Sequence, residues 1–399
     1  MNATNLKITL RENTPFLKED GKFDLKKAML FSGHIGGICY NPDGLEASFA
    51  EVEETTEKRI NTMTAREHQT VFEHVSIGMH LSDSSKILNM VLNNEGQHTT
   101  SERSLRYTRV DENFANSTDK EIELYNKWNN ILTVKITEKY GNVFDKRQIS
   151  TLANENARYM VSTFINTSMF HTLPLAQLNR IVTYMKEFIN KTDKDYFEER
   201  LSNDFVEFIG ECERLNLLDD RLQSNRKHRG LRIFGKDLDS IPEEFGVYYS
   251  TTYKGSFAEY AQAERHRTGN YEMERNPENG FFIPPIIEDD PILVEEWLED
   301  INSVKDLVVQ GELLTIHEGE SFDNFILKLK ERDCSRAQLE IFDRSTLLKQ
   351  KYYDSLKEKD HPYAKELEPY MGKRRCGYPD YDCAESCGFV DGINGTRKI

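Results

Sequence analysis

Ala263-Glu264-Arg265-His266-Arg267-Thr268-Gly269 closes a segment whose pattern changes twice before it is reached. Phe245 to Thr252 alternates with the period of a strand, and Ser256 to Glu264 then takes up helical spacing that ends at the Arg-His-Arg. About 160 residues earlier the same order occurs. Val75 to Leu81 alternates like a strand, and Ser84 to Asn93 sets Ile87, Leu88, Val91 and Leu92 on one helix face. Ser101-Glu102-Arg103-Ser104-Leu105-Arg106-Tyr107 follows. Strand, short break, helix and charged motif therefore occur in both halves, with Ser85 aligned on Ser256.

The chain of 399 residues suits two domains, each long enough for its own core. A hydrophobic fraction of 38% and a charged fraction of 30% describe a globular protein. No apolar run approaches the roughly 18 residues that span a bilayer, and Met1 to Asp20 lacks the apolar centre of a signal peptide. A cytoplasmic protein without membrane partners is the expectation. The net charge of −16 argues against nucleic-acid binding, which draws on phosphate neutralisation by Lys and Arg, but leaves room for a small anion held by local arginines.

Further helices are expected over Leu45–Arg66, Ile122–Tyr140, Gln148–Thr163 and Leu178–Phe188. Others are expected over Ile292–Val304, Ser321–Glu331 and Ser335–Lys357. Asp193 to Lys236 reads as a charged connection between the halves, and Asn276 to Pro291, with four prolines, as a loop.

The two motifs together resemble the signature of the flavin-dependent thymidylate synthase (ThyX) family: Arg-His-Arg, seven residues, Ser-x-Arg. In that family the signature is contiguous. Here the place before Ser104 is filled by Asn94-Glu95-Gly96, and the place after Arg267 by Arg275-Asn276-Pro277. A tandem duplication in which each copy kept a different half of the site accounts for this. The implied fold is α+β, with two ThyX-like domains of mixed helices and antiparallel sheet, at 1–195 and 196–357, and a Cys-containing segment at 358–399. The implied assembly is a homodimer with four family-like halves.

Three more segments carry the resemblance: His68 to His74, Asn156-Ala157-Arg158, and Arg332 to Ile341 with its Ala337-Gln338-Leu339-Glu340-Ile341 ending. The resemblance implies that His68, Thr70, Glu102, Arg265, His266 and Arg267 meet FAD. It implies that Gln262, Arg265, Glu102, Ser104, Arg106, Arg158 and Arg332 meet a deoxyuridine monophosphate (dUMP), and that Arg332 polarises the uracil ring. It further implies hydride delivery to C6 from reduced flavin and relay of a methylene from methylenetetrahydrofolate to C5, with NADPH as reductant. The family's Asn-x-Arg flavin contact is absent near both Pro174–Ala176 and Ser321–Asp323, which implies a different grip on the flavin.

The chemistry suits the residues. A nucleotide monophosphate carries close to two charges, and guanidinium matches it bidentately while staying ionised, as Arg106, Arg158 and Arg265 could. Arg332 and Ser104 are the candidate catalytic residues. Ser104 reads as a positioning hydroxyl, because a serine with no histidine base in its motif is a poor nucleophile. Taken singly, Arg-His-Arg also reads as a solvated basic patch at a helix end, and Glu102 with Arg106 as an i,i+4 ion pair. Two rival functions stay open: modification of a different pyrimidine nucleotide, or a non-catalytic nucleotide-binding or assembly protein. Of six cysteines, Cys376, Cys383 and Cys387 crowd together, and read either as ligands for zinc or an iron–sulfur cluster or as reduced thiols.

Overall fold

The computed structural model describes residues 5–66, 68–110, 116–225, 227–383 and 397–399. The first stretch of the chain forms β1 (Lys7–Leu10), α1 (Leu25–Gly37), α2 (Gly44–Phe49), α3 (Glu53–Ala65), β2 (Ser76–Ser85), α4 (Lys86–Asn94) and β3 (Thr99–Glu102). Then come α5 (Asp119–Tyr140), α6 (Lys146–Ala157), β4 (Asn166–Pro174), α7 (Leu175–Ile189) and α8 (Tyr196–Arg214). The remainder gives β5 (Glu244–Phe245), β6 (Tyr248–Ser256), α9 (Phe257–Ala263), β7 (Asn270–Arg275) and α10 (Pro291–Ser303). It closes with β8 (Leu313–Ser321), α11 (Phe322–Arg332), α12 (Leu339–Glu358) and α13 (Tyr363–Leu367).

The chain divides into two units that interleave in sequence: Met1–Arg103 with Asn166–Arg232, and Ser104–Ile165 with Ile233–Ile399. The first unit holds an antiparallel sheet in the order β1-β2-β4-β3, with Ile77 opposite Leu173 and Met79 opposite His171. Its strand β2 runs straight into α4, because Ser85 Oγ accepts the Leu88 amide at 3.1 Å and so caps the helix. Helix α8 lies in the segment that the sequence presents as a charged connection. Asp195 and Glu198 form a capping box at its start, and Phe197, Leu201, Phe205 and Phe208 are buried along one face.

The second unit repeats the pattern. Its sheet runs β5-β6-β8-β7, all pairs antiparallel, and Ser256 caps α9 by accepting the Glu259 amide at 3.0 Å. The fold class is therefore α+β with two antiparallel sheets of matching strand order. Residues 104–165 join this unit through its core, where Trp128 of α5 meets Trp297 of α10 edge-on at 4.8 Å. The backbone also pairs, Gly311 N to Tyr159 O at 3.0 Å and Gln310 N to Val161 O at 2.7 Å. A Cβ on Gly311 would stand 3.0 Å from Tyr159 O and 2.8 Å from Ile301 Cδ1, so this approach favours glycine. A second core gathers Tyr249, Phe325 and Tyr352 with Leu367, Tyr370 and Tyr378, which binds the segment beyond 358 to the unit.

Two expected helices end early. The one over Leu45–Arg66 is broken into α2 and α3, and the one over Gln148–Thr163 stops at Ala157, followed by a single tight turn, Arg158–Met160. The chain then turns extended at Val161 to pair with residues 309–311. Among the described residues, no helix is long and apolar enough to cross a membrane.

Candidate functional site

The second unit gathers arginines around the turn that follows α11. Arg332 ends that helix, and Arg336, Ala337 and Gln338 lead into α12. Arg106 Nη2 donates to the Arg336 carbonyl at 2.9 Å, and Arg158 Nη2 donates to Gln338 Oε1 at 2.6 Å. Arg106 is also ion-paired with Glu155, whose side chain is 1% exposed. Burial, opposed mainly by Glu331, lowers the pKa of Arg332, and the charges of Arg265 and Arg106 add to that. Arg106, Arg158, Arg265 and Arg332 are thus brought together in the unit that also holds Gln262. Arg332 Nε and Gln262 Oε1 are buried and make no hydrogen bond.

Behind the arginines lies a polar network that the sequence motif only hints at. Glu340 accepts from Ser256 N at 3.1 Å, Ser256 Oγ at 2.8 Å, Tyr159 OH at 2.5 Å and Gln338 Nε2 at 2.8 Å. Gln338 thereby orients Arg158 on one side while anchoring to Glu340 on the other. Burial pushes the Glu340 and Glu259 carboxyls above the usual carboxylate range, and the charge of Glu340 adds to the rise at Glu259. The cap of α9, the Ala-Gln-Leu-Glu-Ile segment and the turn after α6 are therefore tied into one buried cluster.

The last residues of α11 each face a different partner. Glu331 accepts from the His266 ring at 3.0 Å, while His266 also meets Glu320 at 3.3 Å and Thr268 Oγ1 at 2.9 Å. Burial opposes charge on His266, but Glu320 and Glu331 outweigh it and hold the pKa above the ordinary value. Its ring is buried among these groups, whereas Arg267 on the same turn is exposed. Asp333, fully buried, pairs with Lys349 at 2.6 Å and Arg374 at 3.1 Å and accepts from Tyr378 OH. The segment near 374–378 thus holds the residue that follows Arg332.

A concavity of about 610 Å³ opens beside Arg106, lined also by Tyr107, Phe144, Arg147, Gln148 and Arg336. That volume lies within the range of small-molecule sites. No motif pointed to Phe144, Arg147 or Gln148; basic and aromatic residues at a capped helix start were the available signal.

Of the other candidate residues, His68, Thr70 and Glu102 lie in the first unit. His68 and Thr70 are exposed, His68 N donating to Met63 O at 2.8 Å and Thr70 opening the turn Thr70–Glu73. The buried carboxylate of Glu102, at the end of β3, takes Lys86 Nζ at 2.7 Å and Asn89 Nδ2 at 3.2 Å. Ser104 belongs to the second unit, where its Oγ accepts from Arg106 N at 3.3 Å. Among the described residues, no group of three His, Cys, Asp or Glu side chains is arranged for a metal ion. Cys376 and Cys383 are exposed, and Cys387 lies outside the described residues.

Comparison with known proteins finds no match among curated sequences. Among solved structures, a UMP/dUMP methylase, PolB, from Streptomyces cacaoi bound with 5-Br dUMP is similar at 14% identity and TM-score 0.33, over 55% of this chain and 93% of that one. Thymidylate synthase X from Helicobacter pylori with FAD and dUMP is similar at 14% identity and TM-score 0.32, over 55% of this chain and 100% of that one. A family model, thymidylate synthase complementing protein, matches residues 32–186, the stretch that contains His68, Thr70, Glu102, Ser104, Arg106 and Arg158.

Proposed function

We propose that the chain is a flavin-dependent enzyme that builds a methyl group on C5 of dUMP, taking the carbon from methylenetetrahydrofolate and the reducing equivalents from NADPH. A methylene unit lies two electrons above a methyl group, so carbon transfer must be coupled to reduction. Bound reduced flavin supplies that hydride chemistry. The observation that carries the reading is the convergence of Arg106, Arg158, Arg265 and Arg332 in one unit, with buried, unbonded polar atoms on Arg332 and Gln262. Buried polar groups are ordinarily satisfied, so such atoms mark a place where a ligand completes the bonding.

In this reading Arg106 and Arg158 hold the phosphate, with Arg265, and Ser104 sets the Arg106 backbone through its 3.3 Å bond. Arg332 stands at the O2–C2–N3 edge of the ring, where positive charge stabilises the electron density that builds up on attack at C6. Gln262 supplies an acceptor to the base. Arg267 presents an exposed side chain that fits contact with a flavin, and His68 and Thr70 are likewise exposed on the first unit. His266 acts one step removed, its ring fixing the turn that carries Arg265 and Arg267. The matching orders β1-β2-β4-β3 and β5-β6-β8-β7 support a tandem duplication with repeats at 1–195 and 196–357. A homodimer would then hold four such repeats.

Release of tritium from C5-labelled dUMP tests this. It should require FAD, NADPH and methylenetetrahydrofolate together. Purified protein with no measurable FAD affinity and no tritium release would refute it, and release from UMP alone would move the substrate to the ribonucleotide.

A further inference from the structure

Arg397 enters the same cluster from a part of the sequence that no motif marks. Its Nη1 donates to the Ala337 carbonyl at 2.8 Å, and Nε donates to the Ile399 carbonyl. Ile399 is fully buried in the core around Trp128 and Trp297, and Lys398 N donates to Tyr140 OH at 3.0 Å, so the two residues that follow Arg397 anchor it. Three successive residues of one turn thus each accept from a different arginine: Arg336 from Arg106, Ala337 from Arg397 and Gln338 from Arg158.

The remaining nitrogen decides what this arrangement is for. Arg397 Nη2 is buried and makes no hydrogen bond, although Nη1 and Nε are both satisfied. Charged groups of both signs surround it. Arg397 shares its surroundings with Arg106, Glu155 and Asp343, and Glu155 is already taken by Arg106. Burial draws the pKa of Asp343 up to about 6 against the pull of Arg397 and Arg374. A buried, unbonded donor on an ionised guanidinium, with Arg106 beside it, suits an anion with several acceptor oxygens.

Resting on the dUMP reading above, we infer that Arg397 is a phosphate ligand, closing with Arg106 on the phosphomonoester of the nucleotide. A dianion placed there satisfies Nη2. The deoxyribose and base then extend from the phosphate along the arginine cluster toward Arg332.

The test is calorimetric titration of the full chain with dUMP and with deoxyuridine, which lacks the phosphate. Arg397→Ala should weaken dUMP by about 10- to 100-fold, the loss of one charge-assisted bond, and leave deoxyuridine unchanged. Arg397→Lys keeps the charge without the fork and should recover part of the loss, which also covers the case in which the alanine variant folds poorly. Inorganic phosphate should compete with dUMP on the wild type and much less on either variant. A wild type that prefers dUMP over deoxyuridine, with both variants keeping that preference undiminished, overturns the role of Arg397 and leaves the functional reading standing. A wild type that binds dUMP no better than deoxyuridine overturns both.

Discussion

Replacing Asp333 is the sharpest test of how the arginine turn is held. Its carboxylate is fully buried and faces Lys349 and Arg374, whose side chains are 4% and 13% exposed. Asp333→Ala leaves two cations facing a hole, and removal of one partner from a buried pair typically costs about 3–5 kcal/mol. Asp333→Asn keeps the shape and an acceptor for Tyr378, so only the charge is lost, about 1.5–3 kcal/mol. The double variant Asp333→Leu with Lys349→Met removes the pair together. Arg374 can turn toward water, and the cost should fall well below the sum of the single changes, with a coupling of at least about 1 kcal/mol. Urea unfolding followed by tryptophan fluorescence suits the question, because both tryptophans of the chain, Trp128 and Trp297, lie in the core of the same unit. Additive single and double changes, to within about 0.5 kcal/mol, would show that Asp333 is not what holds Lys349 in place.

Arg332→Ala should depress kcat by at least about tenfold with a modest change in KM, because polarisation of the ring matters most at the transition state, whereas Arg106→Ala should act chiefly on KM. Steady-state kinetics on dUMP separates the two, and the reversed pattern would exchange their roles. Asp204 accepts from Ser85 Oγ at 2.5 Å, and burial raises its pKa from 3.8 to about 7. A raised carboxyl stabilises the fold fully below the unfolded value and loses that contribution as pH rises through about 7. The loss is at most about 4 kcal/mol at 1.4 kcal/mol per pH unit, so Asp204→Asn should flatten the fall in stability between about pH 4 and 7 seen in denaturant melts of the wild type. Glu340→Ala should cost about 3 kcal/mol or more by stranding Ser256, Tyr159 and Gln338, and a melt unchanged from wild type would remove the network from the argument.

Much of the site was legible because its residues sit at element ends, where motifs and caps coincide. Arg158 stands directly after α6, Arg332 ends α11, and Ser85 and Ser256 cap the helices that follow β2 and β6. What escaped has physical reasons. β4 and β8 are central strands, paired on both edges, and their serines, threonines and histidines blur the alternation. Helix α8 was hidden by acidic residues on its solvent face, although Phe197, Leu201, Phe205, Phe208 and Cys212 keep helical spacing. Arg397 belongs to no motif, and its place depends on Ile399 entering a core built by helices more than 90 residues away in sequence. Glu102 looked like a helical partner of Arg106, but it ends a strand, where i and i+4 do not face one another.

The interleaving of the two units has a consequence for synthesis. A ribosome releases residues 104–165 long before the partners that bury them, since the edge-on contact of Trp128 waits for Trp297 and the backbone of 159–163 waits for 308–311. The first unit can close once residue 232 has emerged, with the earlier excursion looped out from between β3 and β4. At roughly 5–20 residues per second, Trp128, Leu132 and Ile136 stay uncovered for about 10–30 s while translation reaches α10. An amphipathic helix without its mate for that long is a substrate for chaperones and a hazard in their absence. Expression yield should therefore respond to translation speed and temperature, and do so more through α5 than through any residue of the arginine cluster.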